Sequence, residues 1–455
     1  MSARRTSAAA VLATLLAVAH LSAASPRPGV DWPQFRGIGA AGIGEGRAIA
    51  TKWNIADGTN VAWKAALPGL GLSSPVVWGD LVCLTTAISG QKDAAIRPGL
   101  YGDIAPVDDS SEHEWRVMCL DKRTGRIAWE RTAHKGVPAI KRHTKATHAN
   151  STLATDGHRL IAFFGSEGLY AYDLEGRLLW KKSLGVLDAG FFAAPEAQWE
   201  TGSSPVLHDG VVVLQADVQK GSFLAAFDAK TGRELWRTPR AEVPTWGSPS
   251  VHEVAGRKQV IVNGWKHIGA YDLATGKEIW RMRGAGDIPV PTPVVHDGLV
   301  YITNAHGKEG APVFAIRETA KGDITLAEGT TSNEHIAWSY PRDGGYMCTP
   351  LVYQGLVYIV KYNGVLNVYD AKTGAKKYQE RLAGGTSAFT ASPVAADGKV
   401  YFANEDGQVL VVKAAPAFEL IATNEMASPV LATPAISDGR LLIRTASHLI
   451  AIGAR

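Results

Sequence analysis

Asp228-Ala-Lys-Thr-Gly-Arg-Glu-Leu-Trp236 decides the fold, because the same phrase returns along the chain. It recurs as Asp121-Lys-Arg-Thr-Gly-Arg-Ile-Ala-Trp129 and as Asp272-Leu-Ala-Thr-Gly-Lys-Glu-Ile-Trp280. A shortened copy runs from Asp173 to Trp180, and a copy from Asp370 to Tyr378 carries Tyr in place of Trp. Self-similarity of this kind marks a repeat architecture and has to be settled before any motif is read. Within the phrase the Thr-Gly pair turns the chain, since Gly accepts the positive φ of a tight turn. The Asp reads as a turn residue bonding its own backbone.

A second phrase precedes each of these. It is a Ser-Pro or Thr-Pro, an apolar pair, Asp-Gly, then a β-branched and aromatic run, as in Thr292-Pro-Val-Val-His-Asp-Gly298-Leu-Val-Tyr-Ile and Ser392-Pro-Val-Ala-Ala-Asp-Gly398-Lys-Val-Tyr-Phe. Each reads as strand, hairpin turn, strand. Joined, the two phrases predict a unit of four strands: A after the Pro, B after the Asp-Gly, C ending at the Asp, and D carrying the Trp. Strand A openings fall near Ser73, Ser151, Ser203, Ser248, Pro291, Cys348, Ser392 and Ala432, which gives eight units. The eighth reaches Arg455 before any strand D, whereas Asn60-Val-Ala-Trp63-Lys-Ala-Ala-Leu67 reads as a strand D with no A, B or C before it. The expectation is an all-β, eight-bladed β-propeller of four-stranded blades, closed by the N-terminal strand pairing with the last blade. In such a ring Trp63, Trp129, Trp180, Trp236, Trp280 and Tyr378 are structural, packing between blades on the outer strands.

The phrase Asp-x-x-Thr-Gly-x-x-x-Trp at this recurrence resembles the tryptophan-docking motif of the PQQ-repeat propellers, over residues 60 to the C-terminus. The segment Asp31-Trp-Pro-Gln-Phe-Arg-Gly37 also looks like the start of a group of exported bacterial PQQ-like repeat proteins. The resemblance implies a fold shared by quinoprotein alcohol and glucose dehydrogenases and by non-catalytic relatives such as the propeller of the outer-membrane assembly machinery. By the same resemblance, PQQ and Ca²⁺ are the cofactors to consider. The dehydrogenases hold the quinone with adjacent cysteines, a Ca²⁺ bound by Glu, Asn and Asp, and an Asp base. This chain has no adjacent Cys pair and no Cys-x-x-Cys-His.

The sequence has 455 residues, 46% of them apolar and 20% charged, enough for a buried core. Residues 1–24 read as a signal peptide: Arg4 and Arg5, an apolar run from Ala8 to Ala19, then Ser22-Ala-Ala24. The rest divides into an N-terminal extension at 25–59 and the propeller at 60–455. The expected setting is periplasmic or extracellular. Without Arg4 and Arg5 the formal charge of +4 falls to +2, which provides no electrostatic reason to invoke nucleic acid or an acidic membrane surface. No segment is read as transmembrane, and a single closed ring is expected to be a monomer. Of the three cysteines, Cys83 and Cys119 lie in apolar, strand-like runs and read as buried free thiols, with a bridge between them as the alternative in an oxidising compartment.

Binding in a propeller is expected where the D-to-A and B-to-C connections meet the channel, since these are the long and irregular ones here. The longest runs from about Ala87 to Glu114 and includes Arg97, Tyr101, Asp103, Asp108, Asp109, Glu112 and His113. Strand B ends on polar residues in seven units: Thr85 and Thr86, Gln215, Asn263, Thr303 and Asn304, Lys361, Asn404, and Arg444 and Thr445. These read either as a hydrated channel lining or as a polar pocket with Lys361 and Arg444 as anion contacts. Among His134, His143 and His148, the last lies nearest a strand A. Trp199 with Glu200, Trp246 and Tyr346 stand in D-to-A loops outside the repeated phrase, placed to stack on a sugar, a quinone or a partner side chain. The chain has no nucleophile elbow, phosphate loop, His-Glu-x-x-His or Cys-x-x-Cys, so no metal site is assigned. The leading expectation is a non-catalytic exported binding or scaffold propeller for an unknown protein partner or small ligand. A divergent PQQ-dependent oxidoreductase, drawing on Glu200, Asp217, Glu405 and Asp406 with Asn304 or Asn404, is one alternative. Carbohydrate binding through the aromatic rim is the other.

Overall fold

Inner hairpins open each blade, and their turns show why Asp-Gly recurs. Asp209, Asp297, Asp397 and Asp438 have φ near +50° and the Gly after each is also positive, the conformation of the two-residue turn whose twist matches paired strands. The structure, a computed structural model, describes residues 25–99, 104–306, 310–384 and 387–454. The 1–24 segment, Tyr101 and Asp103 lie outside that set. Eight sheets follow one another around a ring, each with antiparallel strands in the order A-B-C-D, and the fourth carries a short fifth strand. Their inner strands are Val76–Trp78, Ala154–Thr155, Val206–His208, Ser250–Val254, Val294–His296, Leu351–Tyr353, Val394–Ala396 and Ala435–Ser437, numbered here as blades 1 to 8. Blade 8 takes its outer strand from Val61–Ala66, which pairs antiparallel with His448–Ile452 in the register Lys64↔Ile450. The orphan N-terminal strand and the incomplete last unit thus complete one sheet.

The core lies between blades. Val206, Val213 and Leu224 of blade 3, for example, pack against Val251, Val260, Val262 and Tyr271 of blade 4. Two further devices tie neighbours together. The first is a belt at the start of the inner strands, where a backbone N–H donates to the hydroxyl at the same position one blade on. It links Ser74 to Thr152, Thr152 to Ser204 and Ser204 to Ser248, and again Thr292 to Thr349, Thr349 to Ser392 and Ser392 to Thr433, all at 2.8–3.0 Å. The Ser/Thr of the Ser-Pro and Thr-Pro phrases is therefore a structural acceptor, satisfying an N–H at a buried strand start.

The second device is on the outside. The indoles of Trp63, Trp129, Trp180 and Trp236 donate to the carbonyls of Lys122, Leu174, Ala229 and Leu273, each the residue after the Asp of the next blade's phrase. The phrase's Gly serves twice: Gly232 has φ +70°, and a Cβ there would lie 2.8 Å from the Trp180 ring. Trp338, which lies in no copy of the phrase, makes the same bond to Ala371. Trp280 and Tyr378 do not, although the sequence groups them with the rest. Trp280 is buried with its indole N unpartnered, and the hydroxyl of Tyr378 is likewise without a partner. The blade after each lacks the Thr-Gly turn that would receive them. Trp280 is instead covered by a short extra strand, Gly322–Asp323, parallel to its own. The receiving turn, more than the donor ring, decides whether the bond forms.

Residues 25–49 lie across the end of the ring where the A-to-B turns are, and the chain then runs along the outer strand of blade 7, where Trp53 N donates to Asn424. Trp32 bridges Val77 of blade 1, Thr155 of blade 2 donates to Pro33, Gly44 donates to Ala395 of blade 7, and Asp438 of blade 8 donates to Gly29. Arg36, 0% exposed, donates to the carbonyls of Ala40, Ala41, Pro350 and Pro393. That end of the channel is closed by this segment.

Two expectations are corrected in blade 1. Cys83 and Cys119 face each other directly on strands B and C, with Cα atoms 4.1 Å apart, and are joined in a disulfide, so they are not free thiols. The sequence shows each cysteine's strand but not the register that opposes them. The insertion is also shorter than 87–114, because strand B extends to Ser89 and strand C begins at His113.

Candidate functional site

The D-to-A and B-to-C connections surround a cavity of about 760 Å³ at the other end of the channel. Of the residues singled out by sequence, His143, Trp199, Glu200, Trp246, Tyr346 and Lys361 line it. Trp199 and Trp246 lie 5.6 Å apart, and the Trp246 indole donates to the Glu200 carbonyl. From Trp199 a chain of ring contacts runs around the mouth. Trp199 stacks on Phe191 with planes 3° apart, Phe191 meets His306 at 6.5 Å, His306 stacks on Tyr346 at 5.2 Å, and Tyr346 meets Tyr362 edge-on at 5.4 Å. Lys145 Nζ lies 6.0 Å from the Tyr362 ring, and two residues away His143 meets Trp199 at 5.1 Å. The contacts close on themselves in a collar.

Glu200 is the carboxyl of this lining. It is 3% exposed, with a non-glycine φ of +69°. Such conformations persist where surrounding contacts over-determine them and cluster at functional sites. Its Oε1 accepts the N–H of Thr201 at 2.9 Å, and its Oε2 lies 2.8 Å from His148 Nδ1. Room for the carboxyl comes from Gly165, where a Cβ would lie 2.5 Å from Oε1. Burial pushes the Glu200 carboxyl up and the His148 imidazole down, so the enclosure disfavours charge on either member of this hydrogen-bonded pair. His148 is thus the residue behind Glu200 rather than a wall of the cavity.

The remaining candidates hold the scaffold together. Asn304 and Asn263 exchange amide hydrogen bonds at 2.8 and 3.0 Å, joining blades 5 and 4. Asn404 bonds Gln408 within its own turn. Arg444 is buried and its Nη1 donates to Ser73 O, Ser73 Oγ and Thr85 O in blade 1, so it is a strut and not an anion contact. The polar strand-B ends therefore divide: Lys361 lines the cavity, Asn404 stays within its own turn, and Gln215, Asn263, Asn304 and Arg444 are turned into the scaffold. The last four are donors and acceptors between blades, an outcome hidden in the sequence because side chains alternate in direction along a strand.

Four collar residues were missed by sequence reading as site residues: Phe191, His306, Tyr362 and Lys145. The Phe191-Phe192 pair in a D-to-A loop and the Lys361-Tyr362 pair at a strand end were the available signals. Gly99 and the residues from Ile104 onward in the connection after Ser89 approach the mouth. Ile104 O accepts the Trp199 indole N–H at 3.1 Å, Gly99 N donates to Glu405 at 2.7 Å, and Val107 N donates to Arg142 O.

The residues present do not fit a Ca²⁺-bound quinone. Calcium takes six to eight oxygen ligands, and the available carboxylates are committed elsewhere. Asp217 is paired with Arg240 at 2.7 Å, Glu405 holds Lys145 at 2.7 Å and the Thr390 hydroxyl, and Asp406 holds Ser387. Among the described residues no group of three His, Cys, Asp or Glu is placed to hold a metal ion. Likewise, none of the described helices is long and apolar enough to cross a membrane.

Solved structures share this architecture. BamB from Moraxella catarrhalis matches at 14% identity with a TM-score of 0.54, covering 81% of this chain and 99% of that one. A quinohemoprotein alcohol dehydrogenase from Comamonas testosteroni matches at 14% identity and 0.62, over 93% and 81%. A europium-containing methanol dehydrogenase matches at 12% and 0.63, over 93% and 91%. Identities this low carry the fold alone. No curated protein matches the chain. The family described as outer membrane protein assembly factor BamB, built on PQQ-type repeats, matches residues 35–186, 113–333 and 266–420, and with its repeats spanning most of the sequence this chain belongs to that family.

Proposed function

We propose that this chain is a non-catalytic, exported binding propeller whose ligand or partner segment enters the cup at the channel mouth. The observation that carries the reading is the closed aromatic collar over a cavity whose far end is covered by residues 25–49. A concave, mostly apolar site with a few convergent polar groups is built to hold a ligand. The committed carboxylates speak against a metal-assisted oxidation, which leaves the quinoprotein alternative without a place for its ion. An oxidising, periplasmic or extracellular setting is part of the proposal, supported by the leading 1–24 pattern and by the Cys83–Cys119 bridge.

The test is a thermal-shift screen of small soluble ligands and periplasmic peptides on the full chain, with PQQ and Ca²⁺ assayed in parallel for dye reduction across alcohols and sugars. Saturable binding that Trp199→Ala weakens, with no dye reduction, is the expected result. Turnover well above a protein-free control overturns it.

A further inference from the structure

The collar is a closed loop of faces and edges, and its charges are already neutralised. Lys145 is bound by Glu405 at 2.7 Å, and Lys361 reaches Arg342 O at 3.0 Å and Asp343 at 3.4 Å. The Glu200 carboxyl, 3% exposed, already bonds the Thr201 N–H and His148. An anionic ligand entering this cup would find no cation that is not already paired, and a cationic ligand would find no carboxylate left over. Either would have to leave water for a site that returns too little. A ligand without charge escapes that cost.

The walls narrow the class further. Trp199, Phe191, Tyr346 and Tyr362 offer ring faces and edges, and between them stand polar groups with part of their capacity in use: His306, whose Nδ1 is bonded to Asp287 at 2.6 Å and whose Nε2 is the other ring nitrogen, and the Thr390 oxygen, whose proton goes to Glu405 and whose lone pairs can accept. A molecule that matches both is flat-faced, apolar above and below, and ringed by hydroxyls, which is the chemistry of a pyranose. The route in is restricted as well. Because the collar closes around the mouth and residues 25–49 with Arg36 cover the opposite end, a polymer cannot thread through the channel or lie across an open groove. It can enter only by an end.

We propose that the cup recognises the terminus of a neutral glycan chain, taken end-on between the Trp199–Phe191 side and the Tyr346–Tyr362 side of the collar. This rests on the binding reading above and specifies the occupant.

Isothermal titration calorimetry of the full chain with cellohexaose and chitohexaose tests it, with β-cyclodextrin as a neutral glycan that has no end. PQQ and an uncharged aromatic peptide serve as non-glycan probes. At least one linear oligosaccharide binds saturably, β-cyclodextrin binds at least about tenfold more weakly, and Trp199→Ala and Tyr346→Ala each weaken the linear ligand by roughly 2–10-fold, the scale of a lost ring contact. Circular dichroism of both variants verifies that the propeller is intact, and two variants on opposite sides guard against one failing to fold. Cyclodextrin binding as tightly as the linear chains overturns end-on entry. No glycan response, with PQQ or the peptide binding in a Trp199-dependent way, overturns the glycan class while the binding propeller stands. No response to any of the five probes overturns the glycan class too.

Discussion

Replacing Ser204 by Ala tests the hydroxyl belt against a control one residue away. Ser204 Oγ is the acceptor for the Thr152 N–H at 3.0 Å, with the two residues 3% and 2% exposed. Ser204→Ala leaves that N–H buried and unpaired, a desolvation penalty of about 1–3 kcal/mol. Ser203 Oγ is equally buried but has no hydrogen-bond partner. Ser203→Ala therefore removes an unsatisfied hydroxyl and is expected to be neutral or mildly stabilising. For a chain of 455 residues the entropy of unfolding is roughly 1 kcal/mol per kelvin, so Ser204→Ala lowers the melting temperature by roughly 1–3 °C in a single cooperative transition. Guanidinium titrations followed by near-ultraviolet circular dichroism give the same comparison as midpoints, less affected by aggregation on heating. Equal losses for the two serines would refute the belt as a source of stability, because the chemistry deleted is identical and only the partner differs.

The outer tryptophans allow a similar pairing. Trp236→Phe loses the bond to Leu273 O and costs about 1 kcal/mol more than Trp280→Phe, whose indole N has no acceptor, as urea midpoints of the two variants will show. Alkylation of the unfolded, unreduced protein followed by intact mass measurement should label one thiol, Cys348, and three after reduction; the bridge spans 36 residues, and Cys83→Ala with Cys119→Ala should cost about 2–4 kcal/mol. Three labelled thiols without reductant would dispose of the bridge. Stability should also depend on pH through Glu200. Folded, it keeps its proton up to about 8 while the unfolded chain loses it near 4.5, so stability falls as pH rises through that window. His148, whose pKa burial lowers, acts oppositely and offsets this at the acid end, so the net loss appears above the ordinary histidine range. Glu200→Gln should flatten that segment of the denaturant-midpoint profile, and an unchanged slope would show that the carboxyl is already ionised.

The count of blades, the order of strands within them and the closure by Trp63's strand were all legible in the sequence. Each is a consequence of local chemistry: Asp-Gly and Thr-Gly turns need positive φ, and β-branched runs between them form strands. Half of the cup was legible too, since Trp199, Glu200, Trp246 and Tyr346 stand in loops where the repeated phrase does not explain them. What only the tertiary structure decided is which of these meet. The opposition of Cys83 and Cys119 depends on register, and the inward use of Asn304 and Arg444 depends on which face of a period-two strand a residue occupies. The collar joins residues from five separate connections, because ring closure brings loops that are far apart in the chain to one mouth. A sequence repeats its turns locally, but a channel exists only once the last blade has met the first.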